Sequence, residues 1–195
     1  MRNAIVSVSD KRGLCDLGRA LRLYGINILS TGGTLLALQK ENIGSMQVSA
    51  FTGAPEIMDG RVKTLHPMVF ANILQRRDVP EDIEQMRQAG YSYDGIDFVI
   101  VNLYPFKETV AKPGVTEAEA IENIDIGGPS MLRAAAKNFA WVCVIVDPND
   151  YPLLIEELAA NSGTTSLEFR KRMAKKVFAH TRDYDTAIAA YFETI

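Results

Sequence analysis

The sequence predicts an α/β fold: a mostly parallel central sheet with helices on both faces. Three observations predict it. Short β-branched runs alternate with segments whose apolar residues recur every three or four positions. The run Phe98-Val99-Ile100-Val101 is apolar throughout, as a central strand covered on both faces requires. Glycine-containing turns follow several of the strand-like runs, where such folds build ligand sites. A chain of 195 residues fits one hydrophobic core, so a single domain over residues 1–195 is expected.

Ile5 to Val8 reads as the first strand. After Ser9-Asp10, Leu14, Leu17 and Leu21 fall on one helical face, and Gly25 stops that helix. Ile26 to Leu29 repeats the strand pattern, Ser30 to Thr34 makes a tight loop, and Leu35 to Leu38 opens a second helix. A third strand is expected near Val48 to Phe51. Residues 52–68, with Gly53, Pro55, Gly60 and Pro67, form a long punctuated loop. A strand from Val69 to Leu74 and a helix from Pro80 to Ala89 follow, then the Phe98 to Val101 strand.

Thr116-x-x-Glu119 is a capping-box pattern that starts a short helix. In Gly127-Gly128-Pro129 the proline takes a first helical position, with the helix continuing from Ser130 to about Asn138. Trp141 to Val146 is the last strand. The apolar spacing of Phe169, Met173, Val177, Thr181, Tyr184, Ile188 and Tyr191 predicts one long or kinked terminal helix.

Composition excludes several functions. With 21 basic and 24 acidic residues the net charge is −3, against the dominant basic field that non-specific nucleic-acid binding needs. No apolar run reaches the roughly 18 residues of a membrane span, and the start of the chain runs directly into strand-like sequence, so a cytoplasmic location is expected. Cys15 and Cys143 sit in apolar patterns as inert thiols, and the two histidines lack partners at metal-ligand spacing. Neither metal nor cofactor is expected. An anionic ligand would have to be held by a local cluster.

Five strand-end loops can supply one. Ser30-Thr31-Gly32-Gly33-Thr34 brings hydroxyls and unpaired helix N–H groups to one point, which favours a phosphate, and Ser7, Ser9 and Lys11 lie on the neighbouring strand end. The alternative is that Ser9 caps a helix and the glycines only turn the chain. Arg61, Lys63 and Thr64 occur in Asp59-Gly60-Arg61-Val62-Lys63-Thr64-Leu65-His66-Pro67. In an extended segment Arg61 and Lys63 would point to one side, facing either a ligand or solvent. His66 reads as a structural hydrogen-bonding residue. Asn102 and Tyr104 follow the buried strand, with a core-capping aromatic as the alternative for Tyr104. Asp125 precedes Ile126, Gly127 and Gly128, whose backbone N–H groups can face a ligand beside it, as a proton-handling acid needs. A simple helix-flanking acid is the other reading.

Taken together, Ser7 to Lys11, Ser30 to Thr34, Asp59 to Pro67, Asn102 to Phe106, Asn123 to Ser130, Arg133 to Asn138 and Phe178 to Thr181 resemble, in order, the IMP cyclohydrolase domain of bifunctional purine biosynthesis enzymes. The resemblance implies a methylglyoxal-synthase-like three-layer sandwich. It implies dehydrative closure of the formamido-imidazole-carboxamide ribonucleotide, FAICAR, to IMP, with Lys63, Tyr104, Asp125 and Lys137 as catalytic residues. It further implies a homodimer and, in the full-length relatives, a covalently linked AICAR transformylase domain, which these 195 residues are expected to lack.

By that resemblance Asp125 and Lys137 are a proton-transfer pair. Yet Lys137 would lie roughly 12 Å along a helix begun at Pro129, so it is expected to serve a neighbouring protomer's site. The resemblance implies a His-Gly or His-Ala pair where this chain reads Phe70-Ala71-Asn72, a departure from the family pattern. Two other readings share the fold. Methylglyoxal synthase needs a Gly-Gly-Asp-Gln type segment where Gly127-Gly128-Pro129-Ser130 stands; a regulatory nucleotide-binding module needs the phosphate loops but not Lys63, Tyr104 and Asp125 together.

Overall fold

The computed structural model describes residues 2–91 and 94–195. Five strands form one parallel sheet: β1 (Arg2–Val8), β2 (Ile26–Ser30), β3 (Met46–Gln47), β4 (Phe98–Asn102) and β5 (Cys143–Ile145), in the order β3-β2-β1-β4-β5. β1 is central, with Ala4 opposite Ile28 on one side and Phe98 on the other. All five residues of β4 are buried, so the sheet is covered on both faces, as the unbroken apolar run requires. The strand order reverses between β1 and β4, and ligand crevices of open α/β sheets form at such a point, beyond the carboxyl ends.

The helices are α1 (Leu14–Leu23), α2 (Gly32–Lys40), α3 (Val48–Thr52), α4 (Pro67–Leu74), α5 (Pro80–Gln88), α6 (Phe106–Val110), α7 (Glu117–Glu122), α8 (Gly127–Lys137), α9 (Tyr151–Ala160) and α10 (Leu167–Phe192). α1 buries Leu14, Leu17 and Leu21, the predicted stripe, and packs on β2, α2 and α9. α8 and α10 pack on each other and on β5, with α8 also covering β4. The capping box of α7 forms as expected: Thr116 Oγ1 accepts from the Glu119 N–H while the Glu119 carboxylate accepts from the Thr116 N–H. No helix among the described residues is long and apolar enough to cross a membrane.

Several elements differ from expectation. Residues 48–51 are helical, and β3 is the two residues before them; Gly53, at φ 71°, closes that short helix by donating its N–H to the Ser49 carbonyl. The segment 69–74 is also helix rather than strand. Pro67 occupies its first turn and the His66 Nδ1 accepts from the Met68 N–H at 3.1 Å, so the His-Pro pair is a helix start. That confirms the structural role expected of His66. Val69, Asn72 and Ile73 then fall on one buried face. α2 begins at Gly32 rather than Leu35, and α8 begins at Gly127, two residues ahead of Pro129. α6 and α9, which the apolar pattern did not single out, complete the chain.

Candidate active site

All five strand-end loops meet at one cleft of ≈ 520 Å³ beyond the carboxyl ends of β1, β2 and β4. That size suits a nucleotide-sized ligand. One wall comes from the turns after β1 and β2. Ser7, Ser9, Lys11, Thr31, Gly32, Gly33 and Thr34 line it, and Asn102 adjoins them.

Most of this wall's side chains are engaged by the protein itself. The Asn102 Oδ1 accepts from the Ser9 N–H (2.7 Å), the Ser9 hydroxyl (2.8 Å) and the Asp10 N–H (2.9 Å), and its amide nitrogen donates to the Asp10 carbonyl and the Tyr151 hydroxyl. Thr34 Oγ1 accepts from the Val8 N–H and donates to the Val8 carbonyl. Two strand ends and a helix start are thereby locked together. What remains for a ligand is the first-turn N–H groups of α2, which a helix cannot pair internally, and the Lys11 ammonium, which gives one of its donors to the Ser9 carbonyl at 3.3 Å. Lys11 Nζ lies 3.8 Å from where a Gly33 Cβ would stand. Gly32 has φ 48°, a left-handed conformation that a side chain would oppose.

The other wall comes from the 59–64 loop, Tyr104 and the 121–128 segment. Ile57 and Val62 form an antiparallel bridge, and the turn between them holds Met58, Asp59 and Gly60 all at positive φ (56°, 52° and 83°). Two non-glycine residues in that region cost on the order of 1 kcal/mol each, a strain associated with functional turns. The turn presents both Arg61 and Lys63 to the cleft. Arg61 pairs with Glu122 of α7, which also lines the cleft. Sequence reasoning did not find Glu122, and an exposed acid near a helix end carries no local signal.

Asp125 sits at the floor of this wall. Its Oδ1 accepts from the Gly128 N–H at 2.7 Å, and a Cβ on Gly128 would stand 2.6 Å from Asp125 Oδ2 and 2.7 Å from Leu103 Cδ2. Only glycine permits that approach. Burial pushes the Asp125 carboxyl above the ordinary carboxylate range, and the N–H groups of Gly128 and Tyr104 and the Lys63 ammonium oppose the rise without cancelling it. Buried Thr64 places its hydroxyl 3.0 Å from a would-be Gly127 Cβ. Neither the Lys63 ammonium nor the Tyr104 hydroxyl has a hydrogen-bond partner among the described residues. Ile126, Gly127 and Gly128 bring the amino end of α8 to the same cleft as that of α2. Each helix end favours an anion by roughly 0.3–1 kcal/mol.

Two predicted site residues are not part of this cleft. Ser30 is fully buried and its hydroxyl donates to the Val6 carbonyl at 2.7 Å, so strand alternation turns it into the sheet packing rather than toward a ligand. Lys137 is exposed at the last turn of α8, roughly 15 Å along the axis from the cleft end at Gly127. Phe70 packs against the core, and Asn72 accepts from the Gly95 N–H. Neither lines the cleft.

The likenesses to known proteins agree with this geometry. The sequence model of the MGS-like domain matches residues 13–130, and that of the AICARFT/IMPCHase bienzyme matches residues 135–195. The bifunctional purine biosynthesis protein PurH of Streptococcus mutans is 54% identical over 191 residues, covering 98% of this chain and 36% of its own length. That of Rippkaea orientalis is 52% identical over 195 residues, covering 100% and 37%. The chain therefore spans little more than a third of these relatives. Among solved structures, that of ForH superposes with a TM-score of 0.88 at 34% identity, covering 99% of this chain and 97% of that one. A five-stranded parallel sheet, a cleft at its switch point and the match over residues 13–130 together make the chain a member of the MGS-like domain family.

Proposed function

We propose that the chain is an IMP cyclohydrolase, closing FAICAR to IMP with loss of water. The observation that carries this reading is the second wall: a cation, a phenol and a half-buried acid with its pKa raised share one cleft with two helix amino ends. A module that only bound nucleotide would need the first wall alone. The PurH relatives, at about half identity, support the same reading.

In the proposed reaction the ribonucleotide phosphate lies against the α2 amino end and Lys11. The carboxamide nitrogen attacks the formyl carbon, a C–N bond forms, and negative charge develops on the formyl oxygen. Lys63, Tyr104 and the backbone N–H groups of Ile126 and Gly127 are placed to stabilise that charge, while the Gly128 N–H holds Asp125. Asp125, ionised, takes the proton that the attacking nitrogen releases. The oxyanion takes that proton back from Asp125, and as the formamido N–H gives its proton through solvent to the resulting hydroxyl, the C–O bond breaks, water leaves and a C=N bond completes the second ring. Both reacting groups sit on one small ring, so proximity is built into the substrate and the protein's contribution is mainly electrostatic.

Lys137 completes the proposal only across an interface. It is exposed at the end of α8 remote from its own cleft, which supports a homodimer in which it reaches the partner's site. The residues present are read as the cyclohydrolase unit, with formyl transfer belonging to the linked region of the longer relatives.

The test is direct. Incubation with FAICAR should give IMP, followed by absorbance, and no product from a folded protein that binds IMP would leave the regulatory-module reading instead. Mixing Lys63→Ala with Lys137→Ala subunits should restore part of the activity, and no recovery in verified heterodimers would remove the shared site.

A further inference from the structure

We infer that Tyr184 of α10 is a positioning residue for Asp125, holding the turn that aims the carboxylate into the cleft. The inference deepens the proposed function and rests on its assignment of Asp125.

The turn from Asn123 to Asp125 joins the end of α7 to the start of α8. There the chain leaves helical pairing: the Ile124 N–H still donates to the Ile121 carbonyl, but the Asp125 N–H has no carbonyl to reach. One hydroxyl spans the gap. The Asp125 N–H donates to Tyr184 Oη at 2.9 Å, and Tyr184 Oη donates to the Asn123 carbonyl at 3.3 Å. The turn thus borrows both its donor site and its acceptor site from a helix some sixty residues further along the chain.

The tyrosine is itself fixed. Its ring is 8% exposed and meets the Phe106 ring edge-on, with centroids 6.3 Å apart. Phe106 is 1% exposed, and its N–H donates to the Tyr104 carbonyl, so it anchors the loop that carries the catalytic phenol. One α10 side chain therefore touches the supports of both the proposed acid and the proposed phenol. Burial also pushes the Tyr184 hydroxyl above its ordinary range, which keeps it protonated and able to donate. The consequence for Asp125 is geometric. Its Oδ1 can hold the Gly128 N–H at 2.7 Å only while its backbone stays at this turn, and a supporting shell loosened by about 1 Å costs on the order of 100-fold in rate.

Tyr184→Phe tests this, because it removes the hydroxyl and keeps the packed ring. The expected result is a kcat at least 10-fold lower, with the KM for FAICAR and the affinity for IMP within 2-fold of wild type. Combined with Asp125→Asn, the second substitution should add less than 2-fold, since both act through one carboxylate. A Tyr184→Phe enzyme with wild-type kcat would overturn the inference, as would additive losses in the double variant. If wild-type protein turns over FAICAR yet Asp125→Asn is fully active, the assignment of Asp125 fails instead, and the two failures are distinct. Should Tyr184→Phe not fold, fluorotyrosine at position 184 changes the acidity of the hydroxyl at unchanged shape. A kcat changed at constant KM is then expected, and an unchanged kcat would overturn the inference.

Discussion

The two walls of the cleft do different work because their polar groups are differently engaged. On the wall after β1 and β2, the side chains of Ser9, Thr34 and Asn102 are consumed in holding strand ends to one another, and backbone N–H groups face the cavity. On the wall of Lys63, Tyr104 and Asp125, side chains stand ready and it is the backbone that is consumed in placing them. A bound anion needs a rigid, pre-aimed set of donors. A reacting centre needs groups whose charge or proton can change, and such groups cannot also be structural pins.

The contrast makes graded predictions. The largest effect belongs to the chemical wall: Lys63→Met should lower kcat by about 100- to 1,000-fold, equivalent to ~3–4 kcal/mol. Its melting temperature should stay near wild type, because Lys63 pins nothing. A comparable loss of stability would erase the distinction between the walls.

Next is Asn102→Ala on the binding wall. It leaves the N–H groups of Ser9 and Asp10 without their acceptor, so unfolding free energy should drop by about 2–3 kcal/mol and IMP affinity should fall with it, by urea denaturation and calorimetry. Smaller still is Ser30→Ala, which removes only the bond to the Val6 carbonyl. About 1 kcal/mol of stability should go while IMP affinity is unchanged. A loss of affinity there would return Ser30 to the binding set.

The smallest effect on stability is a gain. Because burial raises the folded-state pKa of Asp125, the native state is penalised as pH climbs through the ordinary carboxylate value of 3.8 and beyond. Asp125→Asn can still accept from the Gly128 N–H but carries no charge. At pH 7 it should melt slightly above wild type, with the difference closing below about pH 4, while its activity is lost. A variant less stable than wild type at pH 7 would mean that the carboxylate is a structural pin after all.

The expectations that failed share a cause. Val48 to Phe51 and Val69 to Leu74 are rich in residues that favour strands, yet each became a short helix once β3 and the core claimed particular faces. For the second, the sequence did carry a counter-signal in His66-Pro67, a capping residue followed by a first-turn proline. For Ser30 the counter-signal was subtler. Residues alternate faces along a strand, and a hydroxyl on the last paired residue that turns to the neighbouring strand is bound by the sheet before any ligand can use it.

Strand runs, helical spacing, capping and glycine turns are local and leave local marks, so the parallel sheet, the five loops that carry polar residues and most of the residues that line the cleft are legible in the sequence. Tertiary packing alone set Glu122 against Arg61 and Tyr184 against Asp125. Those are meetings between side chains far apart in the chain. They are set by how α8 and α10 pack on each other and over the sheet and by where α7 lies beside α6, and spacing along one segment contains no record of which distant segment will lie against it.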